Sequence, residues 1–280
     1  MSASAPALPA PPTPKYPYGL AGLVALGILA IYVVTIAPTT QFWDTSEYIA
    51  AAKVLGIPHP PGNPLFVLLA NVWGSIPIVS HYALRINLFA AVTSALASAF
   101  LFLAAERFLW SIVRGQWPRF AAAAAGILVG ATSFTVWNQS VVNEKVYTLS
   151  LFSIALVLWL TVRWADEPRG RLKDHWLILI AYLLALTVTN HLMGLLVVPA
   201  VVVYVIYSDP GVFRRWPMWV WTAVAAAVGL SVFLFLPIRA QHFPPINEGE
   251  PTNWDALWAV LSRRQYQKPS LAERQADLVW

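Results

Sequence analysis

The sixteen residues from Pro64 to Val79, PLFVLLANVWGSIPIV, decide how this chain is threaded. They are apolar, yet a helix of that length, interrupted by Pro77, falls short of the roughly 20 residues that a hydrocarbon core about 30 Å thick requires. Runs that do reach spanning length flank them, at residues 19–37, 82–104, 119–137, 147–163 and 217–237. The run 175–207 is too long for one span, and its Asn190-His191 interruption divides it into two short ones. About seven spans result, provided that 64–79 is not another.

The basic residues decide that point. If 64–79 does not cross, Lys15, Arg107, Arg114, Arg119, Arg163, Arg169, Arg171, Lys173, Arg214 and Arg215 share one side, ten of the eighteen Lys and Arg. That is the excess expected of short cytoplasmic connections. If it did cross, nine of the ten would move to the outside. The segment is therefore expected to lie at, or dip into, the outer interface. The connection 38–81, the connection 138–146, the Asn190-His191 break and the C-terminal segment then all meet on the outer face.

Composition agrees with a membrane setting. The chain has 280 residues, 58% hydrophobic and 11% charged, with a mean hydropathy of +0.61, too apolar for a water-soluble domain of this size. The expected fold is an all-α integral membrane protein, a polytopic bundle with a juxtamembrane helical loop after the first span. Residues 1–18, rich in Pro, Ala and Ser, are expected to form a disordered cytoplasmic tail. Residues 19–237 form the membrane domain, with the outer loop at 38–81, and 238–280 an outer-face segment. Pro38 disfavours cleavage after the first apolar run, so that run is read as an uncleaved span. The net charge of +5 sits between apolar runs and serves topology; no nucleic-acid partner is expected. With no cysteine, disulfides, thiolate metal sites and cysteine nucleophiles are excluded. No glycine-rich phosphate loop, nucleophile elbow or zinc-protease helix is present, which speaks against ATP-driven transport, nucleotide sugars and proteolysis.

Polar residues concentrate just before the deciding segment, in QFWDTSEYIAAAKVLGIPHPPGNPL from Gln41 to Leu65. Asp44 and Glu47 open a predicted helix that runs to Leu55, with Gly56 as its stop. Two readings fit them. They form a capping box, or Asp44, Glu47 and Tyr48 turn one helical face, with Trp43 beside it, toward an outer pocket. His59-Pro60-Pro61-Gly62-Asn63-Pro64 is a rigid corner, either a plain re-entrant turn or a mount that aims His59 at a phosphate or sugar. Arg85 and Asn87 stand at the outer end of an apolar helix, where Arg85 snorkels to the headgroups or meets a ligand. Glu144, Lys145 and Tyr147 make a short connection, a solvated ion pair or part of a pocket. Asn190 and His191 cap a broken helix or touch a ligand. Asp44, Glu144, His59 and His191 show no diagnostic metal-ligand spacing, so no metal and no cofactor are expected. Most of the 14 tryptophans fit interfacial belts.

These motifs, Trp43-Asp44-x-x-Glu47-Tyr48 followed by Leu55-Gly56-Ile57-Pro58-His59-Pro60-Pro61-Gly62-x-Pro64-Leu65, resemble the transmembrane protein O-mannosyltransferase group of GT-C glycosyltransferases, a family long known as a domain of unknown function. Weaker matches lie at Arg85-x-Asn87, Glu144-x-x-Tyr147-x-Leu149, Arg163-Trp164, Asn190-His191, Pro251-x-Asn253-Trp254 and Arg264-Gln265-Tyr266. The resemblance implies a polyprenyl-phosphate hexose as donor, mannose above others, and an acceptor hydroxyl on the outer face, that of protein Ser or Thr or else of a glycan or lipid. It also implies further spans and a soluble region beyond Trp280, so that this chain corresponds to the N-terminal part of the family. Asp44 matches the acidic catalytic base of the first outer loop, and the expected reaction is direct displacement with inversion at the anomeric carbon. Glu47 orients the acceptor. His59, Arg85, Asn190 and His191 are the candidates for the donor's phosphate and sugar; Trp43, Tyr48, Asn87, Glu144 and Tyr147 for the acceptor side. An outer cavity bounded by Asp44, His59, Arg85, Glu144 and His191 is expected, in a multi-pass protein of the bacterial inner membrane. The rivals are a transporter or flippase, which would put ionisable residues near helix centres, and a scaffold, in which Asp44 would be a buried, satisfied cap with no cavity beside it.

Overall fold

The protein, seen in a computed structural model that describes residues 15–41, 43–143, 146–168 and 170–267, is built from helices. They are α1 (Tyr18–Val34), α2 (Thr45–Val54), α3 (Pro64–Ser75), α4 (Tyr82–Phe108), α5 (Gln116–Thr132), α6 (Phe134–Val141), α7 (Tyr147–Asp166) and α8 (Arg171–Val188). A 3-10 turn, Leu192–Val197, leads into α9 (Val198–Ser208); α10 (Trp216–Leu230) continues through a second, Ser231–Leu234, into α11 (Phe235–Ala240), and α12 (Trp254–Leu261) follows. Among the described residues the one β-type pairing outside the helices is an isolated parallel bridge between Ile57 and Asn247.

Polar ties identify the two ends of the bundle. At one end Asp166, closing α7, accepts from Tyr16 (2.9 Å) and from Arg107 of α4 (2.8 and 2.5 Å). Arg119 of α5 pairs with Glu106 in a buried contact, and Arg215 bridges Asp174 of α8 and Asp209 after α9 (2.9 and 2.7 Å). At the other end the Asn87 amide donates to the carbonyls of Ala37 and Thr39 (2.8 and 3.1 Å), and Tyr32 donates to Ala131 (2.9 Å). Arg239 of α11 closes this end by donating to the last carbonyls of α2, those of Leu55 and Val54 (2.8 and 3.0 Å). The passes α1, α4, α5, α7, α8, the stretch 192–208 and α10–α11 therefore alternate in direction, while α2 and α3 stay at the second end. Arg107, Arg119 and Arg215, which the charge pattern groups on one side, gather at the first.

α4 is the central post. Its inner faces carry Ala90, Ala91, Ala95 and Ala97, all buried, and such small side chains let α1 and α7 come close, which matters where helix association relies on van der Waals packing. Outward, α10 shows Val220, Trp221, Val224 and Val228, a surface suited to lipid tails. The stretches Tyr82–Ser111, Tyr147–Asp166 and Trp216–Ala240 are long and apolar enough to cross a membrane, and a fourth joins them if α5 and α6, bent by 68°, count as one. Tyr18–Val34, Pro64–Ser75 and Leu192–Ser208 are apolar but shorter. The protein is thus an all-α membrane protein.

Two boundaries differ from expectation. The predicted run 119–137 breaks at Ser133, which leaves the helical region (φ −61°, ψ 142°) and donates its hydroxyl to Gly130 (2.7 Å). The expected tail reaches less far than residue 18, because Tyr16 is held by Asp166 and packs edge-on against Trp159 at 4.9 Å; residues 1–14 and 268–280 lie outside the described residues.

Candidate active site

The local chain path makes the site. Asp44 occupies the N-cap of α2 without a side-chain cap hydrogen bond. Glu47, the other half of the expected capping box, reaches across to His59 instead: Oε1 accepts the backbone N–H (2.6 Å) and Oε2 meets Nδ1 (2.7 Å). Two contacts to one carboxylate, one of them charge-assisted, outweigh a single backbone amide. α2 stops one residue earlier than the glycine suggests, with Leu55 itself left-handed (φ 50°). Gly56 serves a close approach, since a Cβ there would stand 2.8 Å from Ile246 Cβ. That approach lets Ile57 and the segment 246–248 exchange backbone bonds, Ile57 N to Ile246 O (2.8 Å) and Glu248 N to Ile57 O (3.0 Å).

The corner after α2 is locked at its far side. Gly62 (φ 81°) and Asn63 (φ 39°) turn the chain into α3, whose first residue is Pro64. Asn63, fully buried, donates to the Asn190 carbonyl and accepts from the Tyr48 hydroxyl (3.0 Å). Asn190 in turn donates to the Val146 carbonyl (3.1 Å) and Ser150 Oγ (2.8 Å). The corner, α2, the start of α7 and the break after α8 are thereby one hydrogen-bonded unit.

A cavity of about 580 Å³ opens over this unit. α2 lends it Asp44 and Tyr48, and the corner lends His59, Pro60, Pro61 and Asn63. Val146 and Tyr147 enter from the start of α7, His191 from the break. The wall opposite belongs to the C-terminal strap, through Glu248, Arg263 and Tyr266. Tyr147 also borders a second, apolar cavity of about 260 Å³, lined with Val136, Leu151 and Met193 among others. His191 accepts the Met193 N–H at Nδ1 (3.0 Å), which leaves Nε2 as the protonated nitrogen of the neutral ring.

Charges in the cavity are set by neighbours. The Glu47 hydrogen bond lifts His59 above its ordinary pKa; burial opposes this, and the charges of Glu47, Asp44 and Glu248 reinforce it. Burial pushes the Glu47 carboxyl up, but the side-chain and backbone hydrogen bonds and the charge of His59 prevail and hold it below the usual carboxylate range. Tyr48 is driven far upward, chiefly by burial and then by the Glu47 and Asp44 charges, so it stays a phenol. Asp44 Oδ2 lies 3.9 Å from His59 Nε2.

The expected constellation is assembled in part. Asp44, Tyr48, His59, Tyr147 and His191 line the one cavity, with Glu47 behind His59. Trp43 does not: it is 83% exposed, on a left-handed backbone. Arg85 is drawn away, because its guanidinium satisfies the carbonyls of Val79, Gly74 and Ser80 (2.7, 2.9 and 3.2 Å) in the turn between α3 and α4. Asn87 also works through backbone: besides its two donations it accepts from Asn143 N (2.9 Å), tying the connections after α1 and before α7. Asn190 braces the corner from beneath the cavity. Glu144 lies outside the described residues.

Glu248, Arg263 and Tyr266 are the cavity residues that sequence reasoning missed. Arg264-Gln265-Tyr266 stands out as a motif, but Arg263 is the residue turned inward, on a left-handed backbone (φ 55°) that ends α12. Among the described residues its Nε is buried without a hydrogen-bond partner. Asp44, Glu47 and His59 each offer a ligand atom within 4.8 Å of the others. Glu47 and His59 already engage each other, Oε1 with the backbone N–H and Oε2 with Nδ1, whereas Asp44 stands 3.9 Å from the ring.

Residues 44–212, more than half of the chain, match the family model described as the protein O-mannosyl-transferase TMEM260 N-terminal domain. Protein O-mannosyl-transferase TMEM260 of Mus musculus is 27% identical over 224 residues, 76% of this chain and 29% of the relative. The Dictyostelium discoideum protein O-mannosyl-transferase tmem260 is 30% identical over 146 residues, 50% of this chain and 16% of the relative. The chain thus spans less than a third of the length of these curated relatives, both eukaryotic, so the bacterial setting expected from the sequence finds no counterpart in them. No solved structure matches.

Proposed function

From the premise that the chain belongs to the protein O-mannosyl-transferase TMEM260 N-terminal domain family, we propose that it carries the sugar-transfer site of a GT-C type membrane mannosyltransferase. The donor is a polyprenyl-phosphate mannose and the acceptor a protein Ser or Thr hydroxyl, met on the non-cytoplasmic face. One observation carries this reading: a cavity holding two carboxylates, Asp44 and Glu248, together with three basic side chains, His59, His191 and Arg263, shares Tyr147 with an apolar cavity beside it. A lipid-linked sugar phosphate needs that combination of polar room, charge and a greasy neighbour. Asp44 removes the acceptor proton; Arg263 and the histidines receive the departing phosphate, a role in which each lost donor costs on the order of 3–4 kcal/mol. Arg263 takes the part first suggested for Arg85.

The rivals fare worse on geometry. A transporter calls for ionisable residues midway along the passes, whereas these stand at the two ends, the cavity group at one and the Arg107, Arg119 and Arg215 ion pairs at the other. A scaffold calls for Asp44 as a satisfied cap, whereas its side chain makes no cap hydrogen bond and lines a cavity.

Transfer of radiolabelled mannose from polyprenyl-phosphate mannose to membrane acceptors tests the reading. Asp44→Asn keeps the shape and helix-capping capacity of the residue and is expected to lower transfer by about 10²-fold or more with the protein still folded. Equal transfer by both forms would remove Asp44 from the chemistry.

A further inference from the structure

The direction of the hydrogen bonds around Tyr48 fixes the charge on His59. The Asn190 carbonyl can only accept, so Asn63 turns its Nδ2 to it and presents Oδ1 to Tyr48. The Tyr48 proton goes to that oxygen (3.0 Å). The phenol oxygen then has only lone pairs for His59 Nε2, 3.3 Å away, which calls for a proton on Nε2. On the other side of the ring Nδ1 faces the ionised Glu47 carboxylate at 2.7 Å and is protonated as well. A ring with protons on both nitrogens is an imidazolium.

We propose that His59 is the general acid of the transfer: its Nε2 proton goes to the phosphate oxygen that leaves the sugar, while Asp44 takes the proton of the acceptor hydroxyl and Glu47 acts as the positioning residue for the imidazolium. This rests on the reading of the cavity as the mannose-transfer site. The step balances. The acceptor oxygen bonds to the anomeric carbon and yields its proton to Asp44. The bond from that carbon to the phosphate oxygen breaks with its electron pair going to oxygen, which takes the His59 proton. Asp44 then returns its proton to His59 once Oδ2 and Nε2, 3.9 Å apart before the step, close to hydrogen-bond reach, and both groups regain their starting charge.

His59, raised above an ordinary imidazole chiefly by its Glu47 hydrogen bond, enters the step charged, and the phosphate oxygen becomes its proton acceptor as the bond to carbon breaks, a monoester taking up its second proton at about pH 6. Other groups facing His59 act in a consistent direction: Asp44 and Glu248 add negative charge, Tyr48, pushed upward by burial, is a neutral phenol, and the Tyr266 ring stands 6.4 Å away. Across the cavity Tyr147 and His191 complete the polar wall, and Arg263 is the cation placed to hold the phosphate.

The test is the pH dependence of kcat for mannose transfer by membranes carrying the full-length protein, comparing wild type, His59→Gln and Glu47→Gln. His59→Gln is expected to cost about 10²-fold or more in kcat and to erase the alkaline limb of the profile. Glu47→Gln lowers transfer and moves that limb to lower pH, because the imidazolium loses its carboxylate; this variant decides the matter even if His59→Gln fails to fold. A profile that drops in height with its limbs in place in both variants would reduce the pair to a structural brace and overturn the proposal. Loss of transfer on chelation, restored by Mn²⁺, would overturn it too, because Asp44, Glu47 and His59 would then grip a cation. Wild-type transfer with an unmoved limb sinks the acid role alone, whereas a wild type inert toward every polyprenyl-phosphate hexose sinks the mannose-transfer reading with it.

Discussion

A buried guanidinium nitrogen without a partner, as at Arg263, carries an unmet hydrogen bond that costs about 1–3 kcal/mol, and an anion entering the cavity would recover it. Arg263→Met is accordingly expected to lower mannose transfer by roughly 10²-fold, with a rise in the donor KM that separates it from Asp44→Asn. Arg85 sits at the opposite extreme, with three backbone carbonyls satisfied. Arg85→Met should cost on the order of 1–3 kcal/mol of stability by stranding those carbonyls, seen as a lower melting temperature in detergent, while the folded fraction still transfers. The Glu47–His59 pair makes stability depend on pH at both edges. His59, raised above its unfolded value, stabilises below that value and loses the contribution as pH climbs through its folded pKa. Glu47, lowered, stabilises above its unfolded value and loses the contribution as pH falls through its folded pKa. Thermal stability is therefore expected to peak between the two, and Glu47→Gln should flatten the peak. Sequence alone could not separate Arg85 from Arg263: a charge at the end of an apolar helix draws attention, but whether it serves a ligand or a turn depends on carbonyls that the chain path brings near.

Short irregular elements, more than the long helices, shape the cavity. The contact of Gly56 with Ile246 seats the strap that bears Glu248, and the left-handed Arg263 redirects the chain after α12. Gly56→Ala puts a Cβ 2.8 Å from Ile246 Cβ; relief by displacing the strap should cost about 1–3 kcal/mol and open the cavity wall. Transfer should then fall more steeply than melting temperature, a contrast measurable on one preparation. The corner His59–Pro64 was legible as a rigid mount, because prolines restrict their neighbours whatever the tertiary context. The end of α2 was legible only to within a residue: Gly56 advertised a helix stop, yet its missing side chain was needed for a partner 190 positions later in the chain.

At the scale of the whole molecule, two periodicities are legible in the sequence. Apolar runs marked the long helices, and the spacing of Arg and Lys grouped Arg107, Arg119 and Arg215, which gather at one end; of the five residues expected to bound one cavity, Asp44, His59 and His191 line it together, while Arg85 serves a turn. The strap remained hidden because a polar segment with one short helix carries no such period. The orientation proposed for the bundle is open to direct test, since the chain has no cysteine and any introduced thiol is unique. A membrane-impermeant maleimide should label Phe243→Cys, at an 84% exposed position just after α11, in intact cells, and Ile112→Cys, 75% exposed at the far end, only after permeabilisation; the reverse would invert the protein. The strap also bears on how the protein is made. Arg239 grips the end of α2 from 184 residues downstream, and Arg263 follows later still. Ribosomes deliver α2 long before its clasp, so a nascent chain leaves the cleft around Asp44 half-built until α10–α11 and the segment after them have emerged. The cavity proposed for mannose transfer is thereby completed only once residues 239–266 have been made, and a chain stalled before them holds Asp44 in an open cleft.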